Sequence, residues 1–355
     1  MIPQRSYCKS TLTSSRMLLT AAVSATVLCS APLLHAADAP AVVAPVPIAQ
    51  DGRFFPGFGN EGFVITRFTV KADGTTDDIE IIGGFTNPFL ENPIKDTVAK
   101  WTYTPGTVNG QPAAFYNQEF IFRPKISETL ASSPDFQEEY AKLDEQITAG
   151  ELDAAIRRIE GSFRQHIHTV LDYAVTNYTL SRIYVQKGDL FRALDAVQKT
   201  TLSSITPTGA TEYMLTPDLL EGALRQQLLL SSGVHQEGEV LRTWEMLDAM
   251  YDIPADDKLH ELVAAARAKV ESPDPLPALA KIIEDKVTYR PVHRIFTVTD
   301  VMGDLDAITA RCDHRNLELE YQPDVDWTLP PALGNCVLDF KGDDDTTFTI
   351  YEFRE

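Results

Sequence analysis

The sequence predicts a multidomain α+β protein: a small ββαβ domain, an α-helical array, and a small all-β domain closed by one disulfide. Three observations carry this prediction. Between Gly62 and Phe122, three stretches alternate with period two around one stretch at helical spacing. Residues 134–271 keep helical spacing, broken by glycine-containing turns. Beyond Ser272-Pro273-Asp274-Pro275 the period returns to two, and that last part holds Cys312 and Cys336.

Length and composition bound the possibilities. A chain of 355 residues, 44% hydrophobic and 23% charged, is long enough for two or three globular domains. Its formal net charge of −20 gives an acidic surface that repels phosphate, which argues against a nucleic-acid partner. There is no polybasic stretch for anionic lipid.

Residues 1–36 read as a signal peptide. Arg5, Lys9 and Arg16 precede the apolar run Met17–Leu34, and Leu34-His35-Ala36 offers a cleavage site before Ala37. Cleavage there removes three positive charges and no acid, taking −20 to −23. The rival reading is an uncleaved anchor, the one case in which the protein touches a membrane. The 18 residues Met17–Leu34 just reach across, but Ser24, Cys29, Ser30 and Pro32 make a poor span. Cys29 follows Val27-Leu28, which makes an unconvincing lipoprotein site. Cys8 and Cys29 leave with the signal. Cys312 and Cys336 then remain as one pair in an oxidising compartment, and a disulfide is expected. Zinc is the other reading, and only His314 is near enough in sequence to help.

Residues 37–50 are an Ala/Pro/Val linker without period, expected to be extended. Then Val64, Thr66, Phe68 and Val70 alternate along a first strand, Asp73-Gly74 is a strong hairpin turn, and Ile79–Ile82 returns, ended by Gly83-Gly84. Leu90, Ile94, Val98 and Trp101 lie on one face of a helix whose first turns tolerate Pro93. Tyr103-Thr104-Pro105-Gly106 stops it, Asn109-Gly110 turns the chain, and Phe115–Phe122 is a third strand.

These residues carry a resemblance. Gly62, Val64, Phe68, Val70, Asp73 and Gly74, then Trp101, Tyr103 and Pro105, then Gly110 and Pro112, stand in the order and spacing of the TonB C-terminal domain family. The resemblance covers residues 51–126. It departs from the family at Phe55-Pro56-Gly57-Phe58-Gly59, which is too glycine-rich for the short helix usual before the first strand. It departs again in the short spacer and in the long chain that follows the domain, which argues against the ordinary energy-transducing role. The resemblance implies a module whose sheet edge pairs with a short segment of an outer-membrane transporter.

Residues 127–271 form the helical region. Tyr178–Tyr184, Gly188-Asp189-Leu190 and Ala193-Leu194 resemble a tetratricopeptide (TPR) hairpin, with a second turn at Gly150–Ala155 and a third at Ser232-Gly233. The spacings are irregular, and a plain helical bundle is the alternative. Trp244, Met246, Leu247 and Met250 read as core. Residues 272–277 are a second linker. Residues 278–355 are the all-β domain, with strands expected at Ile295–Val298, Leu305–Cys312, Leu317–Tyr321, Val337–Phe340 and Phe348–Phe353. A domain of about 70 residues is marginal on burial alone, which explains the disulfide.

No catalytic residues are expected, and no metal or cofactor. Gly57-Phe58-Gly59-Asn60-Glu61-Gly62 matches G-x-G-x-x-G but precedes a strand, not a helix N-terminus. His166 and His168 fall on different sides of a helix. Asp343-Asp344-Asp345 lacks calcium-loop spacing and reads as a solvated turn. The chain is therefore expected to be a periplasmic protein that works by binding proteins of the cell envelope. Residues Phe115, Asn117 and Glu119 on the last strand of the ββαβ unit are the expected partner contacts. The alternatives are a soluble TPR-type scaffold or assembly factor, and a membrane-anchored transducer.

Overall fold

In the computed structural model the period-two segments form strands and the 3.6-period segments form helices; residues 41–49, 62–85, 90–125, 131–203, 215–323 and 325–354 are described below. They lie within one unit, Ala39–Glu355. Residues 1–36, expected to be a signal peptide, and Phe55–Gly59 and all of the G-x-G-x-x-G match except Gly62 lie outside the described residues.

Residues read as a linker supply two short strands, β1 (Val42–Val43) and β2 (Val46–Ala49). β3 (Gly62–Val70) and β4 (Thr76–Phe85) form the hairpin. Its turn has Gly74 at φ 85°, and Asp73 Oδ1 accepts from Thr75 N and Oγ1. Tyr103 N donates to Gly74 O, and a side chain at Gly74 would strike Tyr103 O. Gly83-Gly84 does not end β4, contrary to the sequence reading. The ladder runs on to Phe85, with a register shift opposite Ile65/Thr66, and Gly84 at φ 141° lets the backbone of Phe63 approach.

Helix α1 (Glu91–Val98) carries Pro93 in its first turn, and Ile94 and Val98 are fully buried. β5 (Thr102–Thr104) pairs with β2, and β6 (Thr107–Val108) lies between β1 and β7 (Gln111–Pro112). Asn109 and Gly110 both have positive φ, as a tight hairpin requires. β8 (Phe115–Lys125) completes an antiparallel sheet of order β4-β3-β8. Val64, Phe68, Val70 and Phe122 on one face of this sheet pack against Leu90, Ile94, Val98 and Trp101.

Seven helices follow among the described residues: α2 (Pro134–Thr148), α3 (Leu152–Glu160), α4 (Val170–Lys187), α5 (Leu190–Leu202), α6 (Pro217–Gly233), α7 (Glu237–Met250) and α8 (Leu259–Glu271). Local chemistry starts and stops them. Ser133 caps α2 and a Thr169–Asp172 capping box opens α4. Gly150 and Gly188 turn the chain at φ 78° and 77°, in two of the places expected for turns. Trp244 and Leu247 are core residues, with Met246 and Met250 packed on them. The back of the β4-β3-β8 sheet does not face solvent. Phe63 and Ile65 pack against Val170 and Tyr173 of α4, and Tyr173 stacks on Phe85 at 5.0 Å.

The C-terminal part holds β9 (Leu276–Lys281), β10 (Lys286–Tyr289), β11 (Ile295–Met302), β12 (Leu305–Cys312), β13 (Asn316–Leu319), β14 (Trp327–Thr328), β15 (Cys336–Gly342) and β16 (Thr347–Phe353). They make two four-stranded sheets, β10-β15-β12-β13 and β14-β11-β16-β9, which share one core. β9 begins inside the expected second linker. Pro277 is tolerated because β9 is an edge strand. The disulfide Cys312–Cys336 is present, with S–S 2.03 Å, and bridges directly opposed residues of β12 and β15.

Two further expectations are corrected. His166 ends a 3-10 turn and the chain then extends, so His166 and His168 fall on the same side. Their Nδ1 and Nε2 lie 2.7 and 3.3 Å from Asp135 Oδ2. Asp344 and Asp345 are not merely solvated: Arg192 on α5 reaches both, and Lys281 on β9 reaches Asp345 at 2.7 Å. Arg192 and then Lys281 hold the Asp345 carboxyl down at about 2.

Candidate functional site

An edge strand offers backbone donors and acceptors without a side chain having to do chemistry, and β8 is such a strand. β3 pairs with one side of it; among the described residues no other strand pairs with the second side. Beyond its first residues, from Gln118 to Lys125, every second residue turns its backbone groups to that second side, where they can receive an extended chain; Pro124 alone has no N–H to offer.

The residues expected to select a partner are distributed differently from the sequence reading. Phe115 is not exposed; it is 4% accessible and belongs to the core. The cause is a bulge. Phe68 pairs with Gln118 but Val70 pairs with Phe115, so Tyr116 and Asn117 together oppose Thr69. Asn117 takes φ 55°, which asparagine tolerates better than most residues. The extra residue reverses the alternation, and Phe115 falls on the same face as Phe120 and Phe122. No pattern of hydrophobicity announces such an insertion; the asparagine is its one sequence trace. Asn117 is turned toward the C-terminal sheets, donating from Nδ2 to Cys312 O at 2.8 Å and to Asn316 Oδ1 at 2.9 Å. Glu119 is exposed, on the face away from α1, and accepts from Arg67 Nη2 at 3.2 Å.

The motif residues build the platform beneath. Trp101 meets Phe68 edge-to-face at 5.6 Å, meets Phe120 at 4.9 Å, and stacks on Phe122 at 5.4 Å. Tyr103 is buried, and burial pushes its hydroxyl up to about 12. Gly62 starts β3, and Pro105 follows β5. Trp101, Tyr103 and Phe68 thus fix the shape of the sheet rather than its outer surface.

Arg67 links this sheet to the C-terminal part. Its Nη1 lies 3.8 Å from Asp339 Oδ2, which also accepts from Arg311 Nε at 2.5 Å; Arg311 in turn faces Glu80 at 3.9 Å. A concavity of about 420 Å³ opens where the α4–α5 and α6–α7 turns meet β9, beside Asp189, Phe191, Leu279 and Lys281. Its charges are already paired, Lys281 with Asp189 and Asp345. Neither region assembles a nucleophile with a base. No group of three or more metal-ligating side chains is gathered among the described residues.

Residues 58–124, roughly a fifth of the chain, match the family model of the Gram-negative bacterial TonB protein C-terminal. No curated protein matches the chain. Among the described residues no helix is long and apolar enough to cross a membrane.

Proposed function

We propose that this chain, which carries a TonB-like domain over residues 58–124, is a periplasmic protein-binding module of the cell envelope that captures an extended segment of a partner on the outer side of β8. The carrying observation is the coincidence of the family match with an edge strand whose second side is unpaired by any strand described. Main-chain hydrogen bonds supply the affinity, and the exposed Glu119 beside the edge contributes selectivity. An outer-membrane transporter is the partner class the family suggests, with the segment reaching β8 in an extended conformation. A photo-reactive side chain at Glu119 in intact cells tests this. Cross-links to an envelope protein that vanish when its extended segment is deleted support the reading; none at Glu119 refutes it.

One observation favours a second reading, a soluble scaffold or assembly factor of TPR type. The TonB-like sheet is packed on α4 through Phe63, Ile65 and Tyr173, so it is built into a larger body and does not stand free. Under that reading the partner rests on the helices. The same photo-reactive group at Leu229 of α6, whose side chain is exposed, separates the two.

A further inference from the structure

We propose that the turn between β12 and β13, which the Cys312–Cys336 disulfide ties to β15, is a built-in stop, which ends strand pairing on β8 at Tyr116 and so sets the register and length of the segment bound. This rests on the reading of β8 as the capture edge. The first rung of that edge is already taken. Tyr116 N donates to Asp313 O at 2.8 Å, the bond an incoming strand's carbonyl would make. Asp313 follows Cys312 directly, and the turn that carries it is held from several directions. Cys312 N donates to Arg315 O, Asp313 N to Asn335 O, and His314 N to Leu333 O. Asp313 Oδ2 accepts from Asn335 N at 2.8 Å, and Cys312 is bonded to Cys336.

The turn is anchored to β8 by two side chains as well as by that backbone bond. Asn117, freed from the ladder by the bulge, donates to both Cys312 O and Asn316 Oδ1. The His314 ring meets Phe115 edge-to-face, with centroids 5.0 Å apart and planes at 86°. Bulge and turn therefore meet at one place: the bulge presents Asn117, and the turn receives it. A partner strand that pairs with β8 from Lys125 toward Gln118 meets the turn and goes no further. The edge left to it is Gln118–Lys125, 8 of the 11 residues of β8. A stop at a fixed rung selects extended segments of that length and discourages longer, sliding pairings, which are the hazard of an open edge.

The test uses the full chain and two fluorescent peptides of alternating valine and threonine, about eight and about twelve residues long, so that the longer one overruns the stop by roughly 13 Å. The variant is Asn117→Gly with His314→Ala. Glycine keeps the positive φ of the bulge, and the disulfide is untouched. In the unmodified protein the two peptides bind equally and protect the outward-facing amides between Gln118 and Lys125, and the Tyr116 amide is slow to exchange before either is added. In the variant the Tyr116 amide exchanges about tenfold faster, and the longer peptide binds about tenfold more tightly than the shorter. Tighter binding of the longer peptide to the unmodified protein overturns the stop. So does the absence of any length effect in a variant whose Tyr116 amide has opened. Unchanged Tyr116 protection in the variant overturns it too, because the named anchors would be idle. If neither peptide protects β8 in either protein, the capture edge itself falls, and the stop with it.

Discussion

Replacing Trp101 by alanine is the sharpest perturbation of the TonB-like domain. The indole is 2% accessible and lies between α1 and the sheet. It touches three aromatic rings: Phe68 and Phe120 edge-to-face, and Phe122 stacked at an interplanar angle of 19°. A large-to-small change in a closed core costs about 3–5 kcal/mol, and lost aromatic pairs place this site toward the upper end. Since each kcal/mol lowers Tm by about 2 °C in a body of this size, a drop of about 8 °C is expected. The loss should be local first. Because the back of the sheet is fixed to α4 through Phe63 and Tyr173, the assay is hydrogen exchange on the full chain rather than on a fragment. Amides of β3 and β8 should lose protection while those of β15 and β16 keep theirs. Trp101→Phe should lose less. A Trp101→Ala protein that melts unchanged, with β3 and β8 equally protected, would refute the placement of Trp101 in the core.

Three further outcomes follow from the C-terminal sheets. Replacing Cys312 and Cys336 by serine should cost about 3–4 kcal/mol by denaturant melt, since 23 residues lie between them and closing that loop restricts the unfolded chain; intact-mass analysis of the unmodified protein should show two protons gained on reduction. Glu352 is fully buried and accepts from the Tyr289 hydroxyl and from the backbone N–H groups of Val292 and His293, so Glu352→Ala should cost about 3–5 kcal/mol and Glu352→Gln, which keeps an acceptor, about 1–2. Burial raises the Glu352 carboxyl above its unfolded value, so its contribution is present at low pH and is lost as pH rises through that folded pKa, a loss that melts of Glu352→Gln should not show. Asp345 works in the opposite sense: its folded pKa is lowered from 3.8 to about 2, so the clamp on Arg192 and Lys281 is intact above pH 3.8 and is lost as pH falls toward about 2; Asp345→Asn should flatten acid melts in that window.

Much of the fold was legible because local chemistry and burial agree. Asp73-Gly74 and Asn109-Gly110 have no common alternative to the turns they make. Ile94 and Val98 reveal the helix face, and Ala193 with Gly188 reveals a helix–helix turn. What was hidden depends on contacts distant in sequence. Val42–Ala49 has no period because its residues are exposed on both sides; it is a strand only because β5 and β6 pair with it. Gly83-Gly84 looks like a terminus and is a close approach, which only the partner strand makes visible. The convergence of His166 and His168 on Asp135 depends on the break in helix at Ile167. At the site, the edge position of β8 followed from the order of strands. The exposure of Phe115 did not, because one inserted residue reverses every inference drawn from alternation.

The central claim is that the outer side of β8 receives the partner. The direct measurement is hydrogen exchange on the purified full chain, alone and with the envelope protein that cross-links at Glu119. The expected result is new protection confined to the outward-facing amides between Gln118 and Lys125, with α4 to α7 unchanged. Protection that appears on the helices while β8 exchanges as before would contradict it.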